Sequence, residues 1–217
     1  MDALDDEKKN TSKGFGILFF IIGVIMSLII GWIIFPKLLY SKKNQPIDFN
    51  HKLHMASVDN GCASCHFLRK DGSFSGSPKL SECIGCHSQV QGQDPEELKF
   101  VEQYVSKNRE VPWLIYSKQP ACVFFSHAAH IKGAKMDCVT CHGYIGESTS
   151  LKVYEQNRIS GYSRDIWGKD ISGILKKNSW DSMKMDDCAV CHESKSNKSA
   201  REKSVQTQKE GCFVCHK

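Results

Sequence analysis

The apolar residues of this chain are concentrated in one block near the N-terminus and thinly spread elsewhere. From Gly14 to Phe35 the sequence GFGILFFIIGVIMSLIIGWIIF runs for 22 residues without a charge. At about 1.5 Å per residue, a helix of that length crosses a bilayer core of about 30 Å. The core of a cleaved signal is shorter, about 7–15 residues, and ends at a small-residue cleavage site. Here Pro36-Lys37 ends the run. The pattern therefore predicts an uncleaved transmembrane anchor over 14–35, behind a short polar head of residues 1–13. Beyond it the periodic signals are brief. Asp94-Pro95-Glu96-Glu97 carries an N-cap, a proline at the first helical position and acids in the first turn. An apolar face of Leu98, Phe100, Val101, Tyr104 and Val105 follows. Glu110 to Ser126 reads as extended and aromatic, and residues 193–211 as a solvated, Lys-rich loop. The expected class is mostly α and irregular, with few strands and one N-terminal transmembrane helix.

A repeated pentapeptide explains why so polar a chain can fold. Cys-x-x-Cys-His occurs five times: Cys62, Cys65, His66; Cys83, Cys86, His87; Cys138, Cys141, His142; Cys188, Cys191, His192; and Cys212, Cys215, His216. Zinc knuckles and disulfides use Cys-x-x-Cys, but neither needs a histidine directly after every second cysteine. This pattern is the attachment motif of c-type haem: two thiols bond to the porphyrin, and the adjoining histidine binds the iron as proximal ligand. Five haems are expected by motif. Buried porphyrins would supply the apolar core that the side chains lack, so the protein without haem is expected to be largely unfolded.

The chain is also duplicated. Phe49-x-His51-x-x-His54 before the first motif and Phe125-x-His127-x-x-His130 before the third are offset by 76 residues at every position. Two halves follow, residues 36–110 with two motifs and 111–217 with three. Histidines at i and i+3 leave one side of a helical turn. His51, His54, His127 and His130 are therefore candidate distal ligands, with surface or zinc-binding histidines as the plainer reading. One such turn can serve two irons. Nine histidines, five of them in motifs, leave four for five irons. One iron must take methionine, lysine, another group or nothing, with Met183, Met185, Met136 and Met55 as candidates. Cys122 stands outside the motifs, either a buried free thiol or the single-thioether anchor of a sixth haem.

The formal charge of +5 is scattered and is offset by haem propionates, and no basic patch interleaved with aromatics suggests nucleic acid. Lysine counts on the two flanks of the anchor are similar, so they do not orient it. Covalent haem attachment does, because it takes place outside the bacterial cytoplasm. The N-terminus is expected in the cytoplasm, the anchor in the inner membrane, and the chain from about Tyr40 in the periplasm. Residues 143–187 hold Tyr144, Tyr154, Arg158, Tyr162, Arg164, Trp167 and Trp180. Aromatics and arginine are enriched at interaction hot spots, so this stretch is a candidate docking surface, or else a haem-covering loop.

The stretch QPIDFNHKLH (45–54) followed by Cys62–His66 resembles class III and triheme-type multihaem cytochromes. The run VPWLIYSKQPACVFFSHAAH before Cys138 resembles the multihaem subunits of alternative complex III and of the Qrc family, the periplasmic cytochrome:menaquinone oxidoreductases. FLRKDGSFSG (67–76), EELKFVEQYV (96–105) and NRISGYSRDIWG (157–168) are closer to Qrc. The likeness covers nearly the whole chain. It implies an electron-transfer subunit with no substrate site of its own. Such a subunit accepts electrons from a soluble periplasmic tetrahaem cytochrome and passes them to iron–sulfur and membrane quinone-binding subunits for menaquinone reduction. It also implies six haems. The class III pattern further implies that His51 pairs with His66 and His127 with His142. His54 and His130 would then reach two of the irons held by His87, His192 and His216. The alternatives are a quinol-oxidising cytochrome with reverse flow, of the alternative complex III type or a stand-alone membrane-anchored quinol dehydrogenase, and a nitrite-type reductase. Phe67-Leu68 after His66 lacks the methionine typical of the stand-alone dehydrogenase, and no Cys-x-x-Cys-Lys favours the reductase.

Overall fold

The structure is a computed structural model that describes residues 2–166 and 183–195. Two compact units are distinguished. The first comprises residues 1–41 with 157–161, and the second residues 42–156 with 162–217.

In the first unit a long helix, α1 (Asp2–Ile29), enters a π-turn at Ile30–Ile34 and continues as α2 (Phe35–Leu39). The polar head is thus helical from Asp2, and the helix does not stop at Pro36. Proline lacks the N–H that an α-helix requires at an interior position. Here Pro36 falls in the first turn of α2, just past the π-turn, which re-registers the ladder ahead of it. The segment Phe15–Leu39 has mean hydropathy 2.9 and none of it is buried. It is long and apolar enough to cross a membrane.

The second unit holds every described haem motif. Short helices carry its ligands: α3 (His51–Ser57), α4 (Leu80–His87), α5 (Pro95–Phe100), α6 (Cys138–His142) and α7 (Met185–Lys195). The first motif sits on a 3-10 turn at Gly61–Ser64. Among the described residues one two-stranded sheet is present, β1 (Tyr40–Lys43) paired with β2 (Tyr154–Asn157). The architecture is mostly helical and irregular, in keeping with the sequence pattern. Asp94 caps α5 as expected, its carboxylate accepting the Glu96 N–H at 2.8 Å, and a π-turn at Val101–Val105 extends it.

The buried side-chain core is small. Ile47, Leu80, Phe100, Tyr104 and Val111 form it, flanked by Cys83, Val101, Val105 and Trp113. It anchors α4 and α5, and hence the second motif. The Leu80 N–H is held by the Glu110 carboxylate at 2.8 Å, and Glu82 accepts the Lys79 N–H at the start of α4. Elsewhere polar ties replace a core. Lys152 and Lys184 both reach Asp165, at 2.8 and 3.5 Å, and Tyr116 donates to the Lys152 carbonyl. Asp48 accepts the Leu151 N–H at 2.6 Å, and Lys52 N–H donates to Ser148 at 3.0 Å, so segments on either side of the third motif lie together.

Leu80 is 6% exposed within this core. Leu80→Ala is expected to lower stability by ~2–3 kcal/mol, read as a lower denaturant midpoint of the full chain in detergent. An unchanged midpoint would show that this cluster contributes little.

Candidate functional site

The duplicated motif is duplicated in space. In the first copy the His54 Nδ1 faces the carbonyl of Asn50 at 2.8 Å; in the second, the His130 Nδ1 faces the carbonyl of Ser126 at 2.8 Å. Phe49 stacks on His54 with ring centroids 4.1 Å apart, and Phe125 on His130 at 4.8 Å. Each phenyl ring also meets the first histidine of its pair edge-on at 4.8 Å, His51 and His127 respectively. Phe49 and Phe125 thus wedge the two histidines of each turn apart and fix both ring planes. The offset of 76 already marked these phenylalanines in the sequence, though not this role.

A carbonyl oxygen only accepts, so Nδ1 in His54 and His130 must be the protonated nitrogen, and Nε2 keeps its lone pair for a metal. Two more histidines follow the same plan. His66 Nδ1 lies 2.9 Å from the Gly76 carbonyl, and His87 Nδ1 lies 2.8 Å from the Glu97 carboxylate. His51 Nδ1 meets the Ser148 hydroxyl at 3.2 Å, and Ser148 itself is buried. Such partners orient a metal-binding ring and raise its basicity. Burial, followed by the charge that His66 and His54 would carry, pushes His51 down to about 4. Burial also lowers His127 and His142, with His142 the next cause for the former and His66 for the latter. These rings are neutral at neutral pH, as ligation requires.

The motif histidines meet the free ones pairwise. His127 and His142 have ring centroids 6.4 Å apart and planes 3° from parallel. His54 and His87 are 6.0 Å apart, as are His130 and His192. His51 and His66 are near enough for the charge of one to depress the other. Two imidazoles on opposite sides of one metal atom, each bond about 2.0–2.1 Å, have centroids roughly 6.3 Å apart. Among the described residues, no group of three or more His, Cys, Asp or Glu side chains could hold a metal ion, as a zinc knuckle would require. None of the described cysteines is in a disulfide. Paired histidines with unbridged thiols beside them fit haem c.

The thiols also show which sites adjoin. The charge of Cys65 is felt at Cys83, whose thiol burial pushes up to about 11. Cys62 and Cys138 are close enough to hydrogen-bond, and Cys191 raises Cys141 after burial has done so. The motif sites therefore adjoin in the order second, first, third, fourth. Phe74 lies between the first and third sites, 6.4 Å from His66 and 3.9 Å from His127, with planes within 19° of both. A cavity of about 400 Å³ is lined by Met55, Cys62, Cys138, Val139, His142 and Tyr144.

Met55 lies against Gly61 and Gly146, where an added Cβ would sit 3.3 and 3.4 Å from it. Met136 N–H donates to His130, and Met183 N–H to Cys141. Met185 is exposed at the start of α7. Cys122 is exposed, not buried, because it lies on a turn with Phe124 outward beside it. Cys212, Cys215, His216, Trp167 and Trp180 lie outside the described residues. Sequence reasoning did not anticipate Glu97, Phe74, Ser148 or the carbonyls of Asn50, Ser126 and Gly76. Of these only Asn50 and Ser126 carry a sequence signal, their position just ahead of each histidine pair.

A family profile described as "Outer membrane cytochrome MtrC/MtrF-like, domains II/IV" matches residues 55–217. The chain is also 39% identical over 207 residues to the "Menaquinone reductase, multiheme cytochrome c subunit" of Nitratidesulfovibrio vulgaris strain Hildenborough, covering 91% of this chain and 89% of that protein. The chain belongs to the multihaem cytochrome c family. Its cofactor is haem c, and its motif cysteines and histidines are the residue types that bind it. Membership extends over the duplicated histidine pairs and every Cys-x-x-Cys-His motif from the first to the last.

Proposed function

We propose that the chain is the membrane-anchored, periplasm-facing electron relay of a menaquinone reductase. It takes electrons from a soluble periplasmic tetrahaem cytochrome and passes them to iron–sulfur and integral-membrane quinone-binding subunits. The observation that carries this reading is the row of paired histidines, three of the pairs at the separation of two axial ligands. Adjoining thiols link the pairs into a line. Closely spaced irons held between two histidines exchange electrons and leave no position for a substrate at those sites. The relative's printed role as a menaquinone reductase subunit supplies the acceptor, and the apolar helix Phe15–Leu39 supplies the anchor.

In this reading His51 and His66, His54 and His87, His127 and His142, and His130 and His192 are axial pairs. Those pairs take up all the free histidines, so the haem of Cys212, Cys215 and His216 has no histidine left in this chain as its distal ligand. The halves 36–110 and 111–217 each contribute two pairs. Cys122, an exposed thiol outside the motifs, is the attachment point of a sixth haem through one thioether. Intact mass of the holo-chain is expected to match six covalent haems; a mass matching five would leave Cys122 a free thiol.

Gentle purification from membranes tests the assignment. The chain is expected to co-purify in fixed ratio with an iron–sulfur subunit and a polytopic membrane subunit, and the assembly to reduce a menaquinone analogue with electrons from a ferrous multihaem cytochrome. A lone cytochrome that oxidises quinol would contradict it and favour the reverse flow.

A further inference from the structure

Glu97 is the only carboxylate among the described residues that pairs with a histidine. Its Oε1 accepts from His87 Nδ1 at 2.8 Å and from the Gln91 N–H at 3.0 Å, while Oε2 accepts the Gly92 N–H at 2.9 Å. Both oxygens are thus fixed, and the side chain is only 13% exposed. Glu97 stands in the first turn of α5, so the Asp94 cap and Pro95 set its position. Phe100 from the same helix meets the His87 ring edge-on at 5.9 Å and closes that side. The other histidines with a defined Nδ1 partner face neutral oxygens: the carbonyls of Asn50, Gly76 and Ser126 and the hydroxyl of Ser148.

The difference has a chemical consequence. A carbonyl merely orients an imidazole. A carboxylate also draws the Nδ1 proton toward itself, which makes the ring a stronger electron donor at Nε2. A stronger donor favours ferric over ferrous iron, and axial-ligand hydrogen bonding is one of the means by which a protein sets a haem potential. We propose that Glu97 is a positioning residue that gives the haem attached at Cys83 and Cys86 the lowest potential of the four whose ligands are described. The inference rests on axial ligation of that haem by His87.

Redox titration of the full holo-chain in detergent, followed by optical and electron-paramagnetic-resonance signals, tests this with Glu97→Gln. Glutamine keeps the length and an oxygen toward His87 but removes the charge. One haem, the lowest in the wild type, is expected to move positive by at least a tenfold change in its ferric-to-ferrous ratio, about 59 mV for a one-electron couple. The others stay in place. Glu96→Gln is the control, because Glu96 contacts Asp48 and Lys99 rather than a histidine. A role confined to holding residues 91 and 92 gives a different sign: loosening that loop admits water, which favours the more charged ferric state and moves the potential negative. A negative move, or titrations that superimpose, would overturn the proposal. If Glu97→Gln takes up fewer haems, Glu97→Asp decides. It keeps the charge on a shorter arm, so a smaller positive move of the same haem supports the proposal and an unmoved one overturns it. Peptide masses across residues 79–100 of the wild type separate the two levels: absence of haem from Cys83 and Cys86 would sink the ligation reading itself.

Discussion

A histidine that donates its Nδ1 proton to an oxygen has one lone pair left, on Nε2, and the ring can turn only about that hydrogen bond. The second unit of this protein depends on that constraint. Asn50, Gly76 and Ser126 supply the oxygen from the backbone, and Glu97 and Ser148 from side chains. The short helices matter less for their own stability than for placing those oxygens. Helices of five to eight residues are marginal in water. Phe49 stacks on His54 of α3, while α4 and α6 carry the motif cysteines of the second and third sites.

The small core follows from the same economy. Ile47, Leu80, Phe100, Tyr104 and Val111 secure only the region around the second motif. The first, third and fourth motifs are bordered instead by histidine rings, phenylalanines and a cavity rimmed with motif cysteines. Haem faces complete such surfaces, and buried apolar area is what offsets the entropy of ordering a chain this polar.

Much of this was legible in the sequence, for a definite reason. Covalent haem attachment demands Cys-x-x-Cys-His, and a duplicated clamp leaves its spacing behind, so His51, His54, His127 and His130 could be singled out without coordinates. Which histidine faces which motif is a different kind of fact. The resemblance to class III cytochromes implied the partners of His51 and His127; the structure sets His54 beside His87 and His130 beside His192, across contacts that no local pattern encodes. The order of the sites was illegible for the same reason, since the second motif adjoins the first from the far side of the third. Glu97 escaped notice because its sequence role, a first-turn acid, was already accounted for. Pro36 misled because a proline normally ends a helix, whereas a π-turn ahead of it lets this one continue. Of the two readings open for Cys122, a buried free thiol and a single-thioether haem anchor, the first meets an exposed thiol, with Phe124 exposed beside it.

In the proposed ligation eight of the nine histidines form four axial pairs, leaving one motif haem without a histidine on its distal side. Quantitative electron paramagnetic resonance and near-infrared magnetic circular dichroism of the fully oxidised holo-protein count haems by axial ligation. Four low-spin haems with two histidine ligands are expected, with the C-terminal motif haem showing a different ligand set. Fewer than four bis-histidine haems, or five, would contradict the pairing.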